Sequence, residues 1–354
     1  MKTFCVLPFY ARVINGSGYD RPCCHWFTDD YDLEQVKQDM LTEQRSDICS
    51  HCWRLEDAGI QSDRQQKLAT YDWFLERSAE DLFAAAKLGP VPMLSLNLMT
   101  SSVCNATCVS CGSGCSSSWA ELERRMFPHI PIQRVSPVSV DSVFESFDMS
   151  NLRFLSFMGG EPLFERRNFE ILERLHAMGN TDLFVSIVTN GNVELNDKQK
   201  EILNRFPNMN FCLSIDGIGA VYEYVRYPSQ WSRLQDNLAY FRTIAQDVSA
   251  HYTISNITLF SHNETMAWFK EVGLPVTCNP ISDPAWLSPH VLPSVAREQL
   301  RNYLSADDYQ AYIGSADLTE VDQLWAEFKQ NIQLQDQAKD ISIADRVPVV
   351  ASLF

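Results

Sequence analysis

The stretch MTSSVCNATCVSCGSGC, residues 99–115, decides how this chain is read. Cys104, Cys108 and Cys111 stand in the spacing Cys-x3-Cys-x2-Cys on one short loop. A structural zinc site closes its own tetrahedron with four ligands. Iron–sulfur clusters are held by thiolates, and a [4Fe–4S] cluster on only three of them keeps one iron open. Cys115 follows as an extra thiol, read here as a small packed side chain rather than a ligand.

The loop sits at the start of a rhythm. The apolar run MLSLNLM (93–99) precedes it, and Ser118 with Glu121 has the spacing of a capping box at the head of a helix. Strand-like runs recur at LRFLSFM (152–158), LFVSIVTNGN (183–192), NFCLSIDG (210–217), HYTISNITLF (251–260) and PVTCNPIS (275–282). Helical patterns fall between them: DSVFESF (141–147), NFEILERLHAMG (168–179), KQKEILNRF (198–206), RLQDNLAYFRTIAQ (233–246) and TMAWFKEVG (265–273). Six strands alternating with helices predict an α/β chain with a parallel sheet. In such sheets the loops after the strands build the site. CNATCVSC, GGEP, TNGN and SIDG all follow strands.

Composition narrows the field. The chain has 354 residues, 45% hydrophobic and 21% charged, enough for a sizeable core in one large domain or two to three smaller ones. Its net charge of −16 disfavours a nucleic-acid partner, which needs clustered Lys and Arg. No apolar run is long enough for a membrane span, and the N-terminus lacks the apolar segment of a signal peptide. A cytoplasmic protein is expected. Its eleven cysteines are clustered, which without a secretory signal points to metal ligands rather than disulfides.

The ordered set of the cysteine loop, GGEP (159–162) and SIDG (214–217) resembles the radical S-adenosylmethionine (SAM) superfamily over roughly 93–285. The resemblance implies a partial (β/α)6 barrel in which Cys104, Cys108 and Cys111 hold a [4Fe–4S] cluster. The open iron takes the amino and carboxylate groups of SAM, and one electron then releases a 5′-deoxyadenosyl radical that abstracts hydrogen. It assigns Gly159, Gly160, Glu161 and Pro162 to the methionine amino group. Ser214, with Asp216 on the same turn, and Arg226 in YEYVRYPSQW (222–231) fall to the carboxylate, which a guanidinium fork matches. The glycines, lacking Cβ, let the backbone approach SAM closely. Asn190 is the candidate for the ribose hydroxyls, Asn256 a weaker one of the same kind. One departure is Ser110, where the family often has an aromatic residue.

Residues 1–60 are cysteine-rich and irregular, with a hairpin signal at NGSG (15–18). CVLPF (5–9), Gly18 five residues before Cys23, and CSHC (49–52) resemble the twitch or SPASM type of auxiliary-cluster domain. So do SGCSSSW (113–119) and WLSPHVLP (286–293). The resemblance implies a second [4Fe–4S] cluster on Cys5, Cys23, Cys49 and Cys52. Cys24 is an alternative to Cys23, though the glycine spacing favours Cys23. A zinc knuckle on the same thiols, joined by His25 or His51, is the other reading.

The domains expected are a twitch-like auxiliary domain (1–70), a helix and linker (71–92, closing a helix over 64–88), the barrel (93–285) and a helical C-terminal extension (286–354). The expected activity is radical SAM chemistry of an oxidoreductase type on a peptide or amino-acid-like substrate. The auxiliary cluster would serve oxidation, cross-linking or epimerisation, and flavodoxin or ferredoxin would supply electrons. The alternatives are a dehydrogenase or isomerase of a sugar or cofactor precursor, and a non-catalytic cluster-bearing redox or binding protein.

Overall fold

Short runs of Leu, Phe, Val and Ile become strands when both faces of the sheet are covered, and the polar loops after them end the pairing. The computed structural model describes residues 2–15, 20–26, 28, 30–75, 77–129, 131–132, 136–314 and 321–354. Its strands are β1 (Ala11–Ile14), β2 (Asp20–Arg21), β3 (Ser95–Leu98), β4 (Phe154–Phe157), β5 (Phe184–Thr189), β6 (Met209–Ser214), β7 (Asp247–Ile254) and β8 (Val276–Pro280). They form one sheet in the order β2-β1-β3-β4-β5-β6-β7-β8. Only β1 with β2 is antiparallel; the other pairs are parallel.

From β3 to β8 the order in space is the order in sequence. A doubly wound sheet reverses direction at a switch point, whereas one wound in a single sense carries its helices on one face, as barrels do. β2 and β8 are the edges, so the barrel is partial. The six strands read from the sequence are β3 to β8. One is displaced: β7 starts at Asp247 rather than at residue 251 and ends at Ile254. Ser255 and Thr258 exchange side-chain hydrogen bonds with each other's backbone amides, at 2.9 and 3.2 Å, and so turn the chain into a 3-10 segment.

The barrel core is dense. Leu155, Phe157, Val185, Ile187, Phe211 and Tyr252 are buried in the strands. The helix Arg166–Ala177 sets Phe169, Leu172 and Leu175 against them, and Phe211 stacks on Phe241 with centroids 4.1 Å apart. Each such side chain contributes about 1.5–3 kcal/mol when fully buried.

The N-terminal residues have a core of their own, with Phe4, Phe9, Trp26, Val36 and Met40. Residues 71–92, expected as helix and linker, supply Tyr71, Leu82 and Ala86 to it. The helix expected over 64–88 is two helices, Asp63–Leu75 and Ala79–Leu88. Ser78 and Asp81 form a reciprocal capping box that starts the second. β1 pairs in parallel with β3, Val13 opposite Asn97, so the N-terminal unit extends the barrel sheet at its first edge. Gly16–Tyr19 of the expected hairpin turn lie outside the described residues, but β1 and β2 on either side pair as a hairpin would. After β8 the tail is helical, ending in the long helix Val321–Lys339 and two short turns. Among the described residues no helix is long and apolar enough to cross a membrane.

Candidate functional site

The cysteine loop hangs from the C-terminal end of β3 and is pinned by backbone bonds. Thr107 N donates to Tyr227 O at 2.7 Å and Val109 N to Val225 O at 2.8 Å. The helix that follows, Ser117–Met126, is capped by Ser116, whose Oγ accepts from Trp119 N at 3.2 Å and donates to Ala106 O at 2.7 Å. The capping box expected at Ser118 and Glu121 is therefore not formed. Ser118 Oγ instead donates to Cys104 O at 2.8 Å. Three consecutive serines offer equivalent caps, and contact with the cysteine loop selects among them.

GGEP follows β4 and presses on that loop. Gly159 has φ +108°, and a Cβ on Gly160 would stand 2.2 Å from Val103 O. The missing Cβ of Gly160 thus serves the packing of two protein loops. Glu161 is buried and turned away from the cavity. Its carboxylate accepts from Thr189 Oγ1 at 2.6 Å, Asn190 N at 2.7 Å and Leu163 N at 3.0 Å. Burial raises its carboxyl above the ordinary range, and these donors oppose the shift. Glu161 ties the β4 loop to the β5 loop.

Asn190 is held on both sides, with Nδ2 donating to Asn105 Oδ1 at 2.7 Å and Oδ1 accepting from Asn192 N at 2.8 Å. Asn256 holds the Trp286 turn, donating from Nδ2 to Trp286 O at 2.9 Å. Beyond β6, Asp216 Oδ1 accepts from Thr253 N at 2.7 Å, and its Oδ2 pairs with Arg226 Nη2 at 2.6 Å. Burial acts to lower the guanidinium, but the Asp216 carboxylate together with Cys108 and Tyr222 outweighs it, and Arg226 stays charged. Arg226 Nε is buried and has no hydrogen-bond partner among the described residues.

These loops enclose a cavity of about 580 Å³. It is lined by Cys104, Cys108, Cys111, Gly159, Gly160, Asn190, Ser214 and Arg226, and by Cys115 and Trp286. Glu161, Pro162 and Asp216 stand behind this wall. Burial pushes Cys104 up to about 12 and raises Cys108 as well. The thiol–thiol hydrogen bond from Cys111 to Cys115 raises the first and lowers the second. Without a cation the buried loop favours thiols, so metal binding has to displace their protons. Three converging thiols and a buried, unpartnered guanidinium nitrogen fit an iron–sulfur cluster with a carboxylate ligand beside it.

A second cavity lies in the N-terminal unit, lined by Cys5, Cys23, Cys49 and Cys52 together with His25, His51, Asp63 and Arg64. Cys24 is exposed and does not line it. Burial drives Cys5 to about 12 and Cys49 to about 11. On the rim, ligand atoms of Cys24, His25 and Asp63 lie within 4.8 Å of one another, with His25 Nε2 2.5 Å from Asp63 Oδ2 and its ring stacked on His51. This thiol set fits either an iron–sulfur cluster or zinc.

Two stretches singled out only by resemblance pack on the first site. Trp119 of SGCSSSW donates its Nε1–H to Cys108 O at 2.7 Å, and Trp286 of WLSPHVLP lines the cavity. Lys339 touches the loop too, and no local pattern marked it.

No family model and no curated protein matches the chain. It is similar to the solved structure of native anSMEcpe with bound AdoMet at 18% identity, TM-score 0.43, covering 63% of this chain and 63% of that one. Streptococcus suis SuiB bound to S-adenosylmethionine is similar at 15% identity, TM-score 0.41, over 85% of this chain and 67% of that one. TYW1 with a lysine-pyruvate adduct bound follows at 10%, TM-score 0.31, over 63% and 72%. The chain thus spans less than two thirds of the length of anSMEcpe.

Proposed function

We propose that this chain is a radical SAM enzyme. The observation that carries the reading is the meeting of the three loop thiols with Ser214 and the Arg226 guanidinium in one cavity at the C-terminal ends of β3 to β6. Cys104, Cys108 and Cys111 would hold a [4Fe–4S] cluster through their thiolates. Arg226, oriented by Asp216, offers its guanidinium to the SAM carboxylate, with Ser214 on the same wall. Gly159 and Gly160 supply the backbone edge facing the amino group, and Glu161, with Pro162 behind the wall, holds that edge in register with the β5 loop. Asn190 faces the ribose. When bound, the cluster supplies one electron to SAM and so a 5′-deoxyadenosyl radical for hydrogen abstraction. The buried loops keep water from the reacting region.

The N-terminal cavity is read as a second [4Fe–4S] site on Cys5, Cys23, Cys49 and Cys52, for oxidoreductase chemistry on a peptide or amino-acid-like substrate. A flavodoxin or ferredoxin would deliver the electrons. Anaerobic protein reconstituted with iron and sulfide is treated with dithionite and SAM. Release of 5′-deoxyadenosine is expected, and its absence with the cluster shown to be present sinks the reading.

A second reading rests on Cys115, which lines the same cavity. If it closed the coordination, the chain would be a cluster-bearing redox or binding protein. Cys115→Ser decides: full iron and undiminished SAM cleavage are expected, whereas loss of cluster iron in the variant favours the second reading.

A further inference from the structure

Lys339 is the last residue of the helix Val321–Lys339, yet it is only 6% exposed. Its Nζ donates to Thr107 O at 2.7 Å and to Gln335 Oε1 at 2.8 Å, and lies 4.9 Å from the ring centroid of Trp119. These direct partners are two neutral oxygens and an indole face; burial lowers the ammonium to about 8, opposed by Cys108, by the Asp336 carboxylate one turn back and by Cys111. A buried ammonium is costly unless something compensates it. The loop it holds carries the thiols of the site.

The same indole donates to Cys108 O at 2.7 Å. Lys339 and Trp119 therefore fix the two successive carbonyls, of Thr107 and Cys108, that flank the central cysteine. The tail is anchored at the other side as well. Tyr224 donates from its hydroxyl to Asp336 Oδ1 at 2.8 Å, and the neighbouring Val225 O accepts from Val109 N at 2.8 Å. One turn of the tail helix thus touches the cysteine loop at Thr107 and, through Tyr224, the segment whose Val225 carbonyl holds Val109.

We propose that Lys339 is a positioning residue for the cysteine loop, locking the Thr107–Cys108 peptide and setting a positive charge against the ligated thiolates. This rests on the reading of Cys104, Cys108 and Cys111 as cluster ligands. Reduction adds one negative charge to a cluster, so a nearby cation favours the reduced form and raises the reduction potential. The C-terminal extension thereby becomes part of the site.

The test uses the full chain with Lys339→Met, which removes both donor and charge, and Lys339→Gln, which keeps a donor and removes the charge. Hydrogen exchange on the metal-free chain reads the lock. Exchange at Thr107 and Val109 should rise by about tenfold or more in Lys339→Met, with β5 and β6 unchanged. The potential of the SAM-responsive cluster, followed by electron paramagnetic resonance, should fall in both variants. Wild-type exchange at Thr107 and Val109 in Lys339→Met, or a wild-type potential in Lys339→Gln, overturns the proposal. If Lys339→Met unfolds, shown by faster exchange throughout β5 and β6, the potential of Lys339→Gln decides. Iron content unchanged by Ala at Cys104, Cys108 and Cys111 sinks the cluster reading instead, and the metal-free exchange then decides the lock alone.

Discussion

Gly160 and Val103 approach so closely that a Cβ on Gly160 would stand 2.2 Å from the Val103 carbonyl oxygen. The atoms it would meet are backbone, which cannot swing aside as a flexible side chain does. Gly160→Ala is therefore expected to separate the GGEP turn from the cysteine loop, at a cost of about 1–3 kcal/mol from overpacking. The Glu161 N to Val103 O bond of 2.8 Å would go with it. Thermal melting should fall and iron per chain should drop; wild-type values of both would refute this account of the glycine.

In the N-terminal unit the adjacent thiols are separated by burial. Cys23 is buried and lines the cavity, whereas Cys24 is exposed. Cys23→Ser is expected to empty that site while Cys24→Ser keeps its metal, as counted by iron and zinc on anaerobically purified chain. Near eight irons with negligible zinc is the outcome for two [4Fe–4S] clusters by simple stoichiometry. Four irons with one zinc would make the N-terminal site structural. Metal loss in Cys24→Ser but not in Cys23→Ser would reverse the assignment.

Arg226 reaches the cavity already paired to Asp216, leaving Nε without a partner among the described residues. Lysine has no second nitrogen to keep both contacts at once. Arg226→Lys should weaken SAM binding by roughly 10–100-fold, the range set by the loss of one charge-assisted hydrogen bond. Equilibrium dialysis of SAM against reconstituted protein measures it, with cluster absorbance as the control that the loop is intact. An unchanged affinity would place the carboxylate elsewhere.

Periodicity made β3 to β8 legible as apolar runs alternating with helices, and the loops after β3 to β6 carry the distinctive chemistry. β1 was hidden, since ARVI is four residues long and lies in an irregular cysteine-rich segment. The loop cysteines and Arg226 were legible by motif, but the partners of Glu161 were not. Nothing in GGEP says that Thr189, Asn190 and Leu163 take up its carboxylate. Lys339 was out of reach for the same reason: it sits in an ordinary polar helix, and its partner Thr107 lies 232 residues away. Side chains that act on neighbours near in sequence leave a pattern, and those that act across the fold do not.

The buried His262 makes a prediction independent of any cofactor. Its ring stacks on Tyr252 and meets Tyr312 edge-on, its Nδ1 has no partner among the described residues, and its Nε2 is 4.0 Å from Asp308 Oδ2. Burial lowers its pKa from 6.5, with the Asp308 carboxylate opposing the shift. In the unfolded chain the imidazole takes a proton at about 6.5, where the folded chain still resists it. The unfolded state therefore binds more protons between the depressed folded value and about 6.5, and stability rises with pH across that window. Conversely, this contribution is lost as pH falls below about 6.5. Other carboxylates also titrate in acid, so the readout is a comparison. His262→Phe keeps an aromatic ring in the stack and removes the titration. The wild-type melting temperature should fall more than that of the variant between pH 7 and about pH 5.5. Parallel curves would mean that the imidazole charges without cost and that its burial does not oppose protonation.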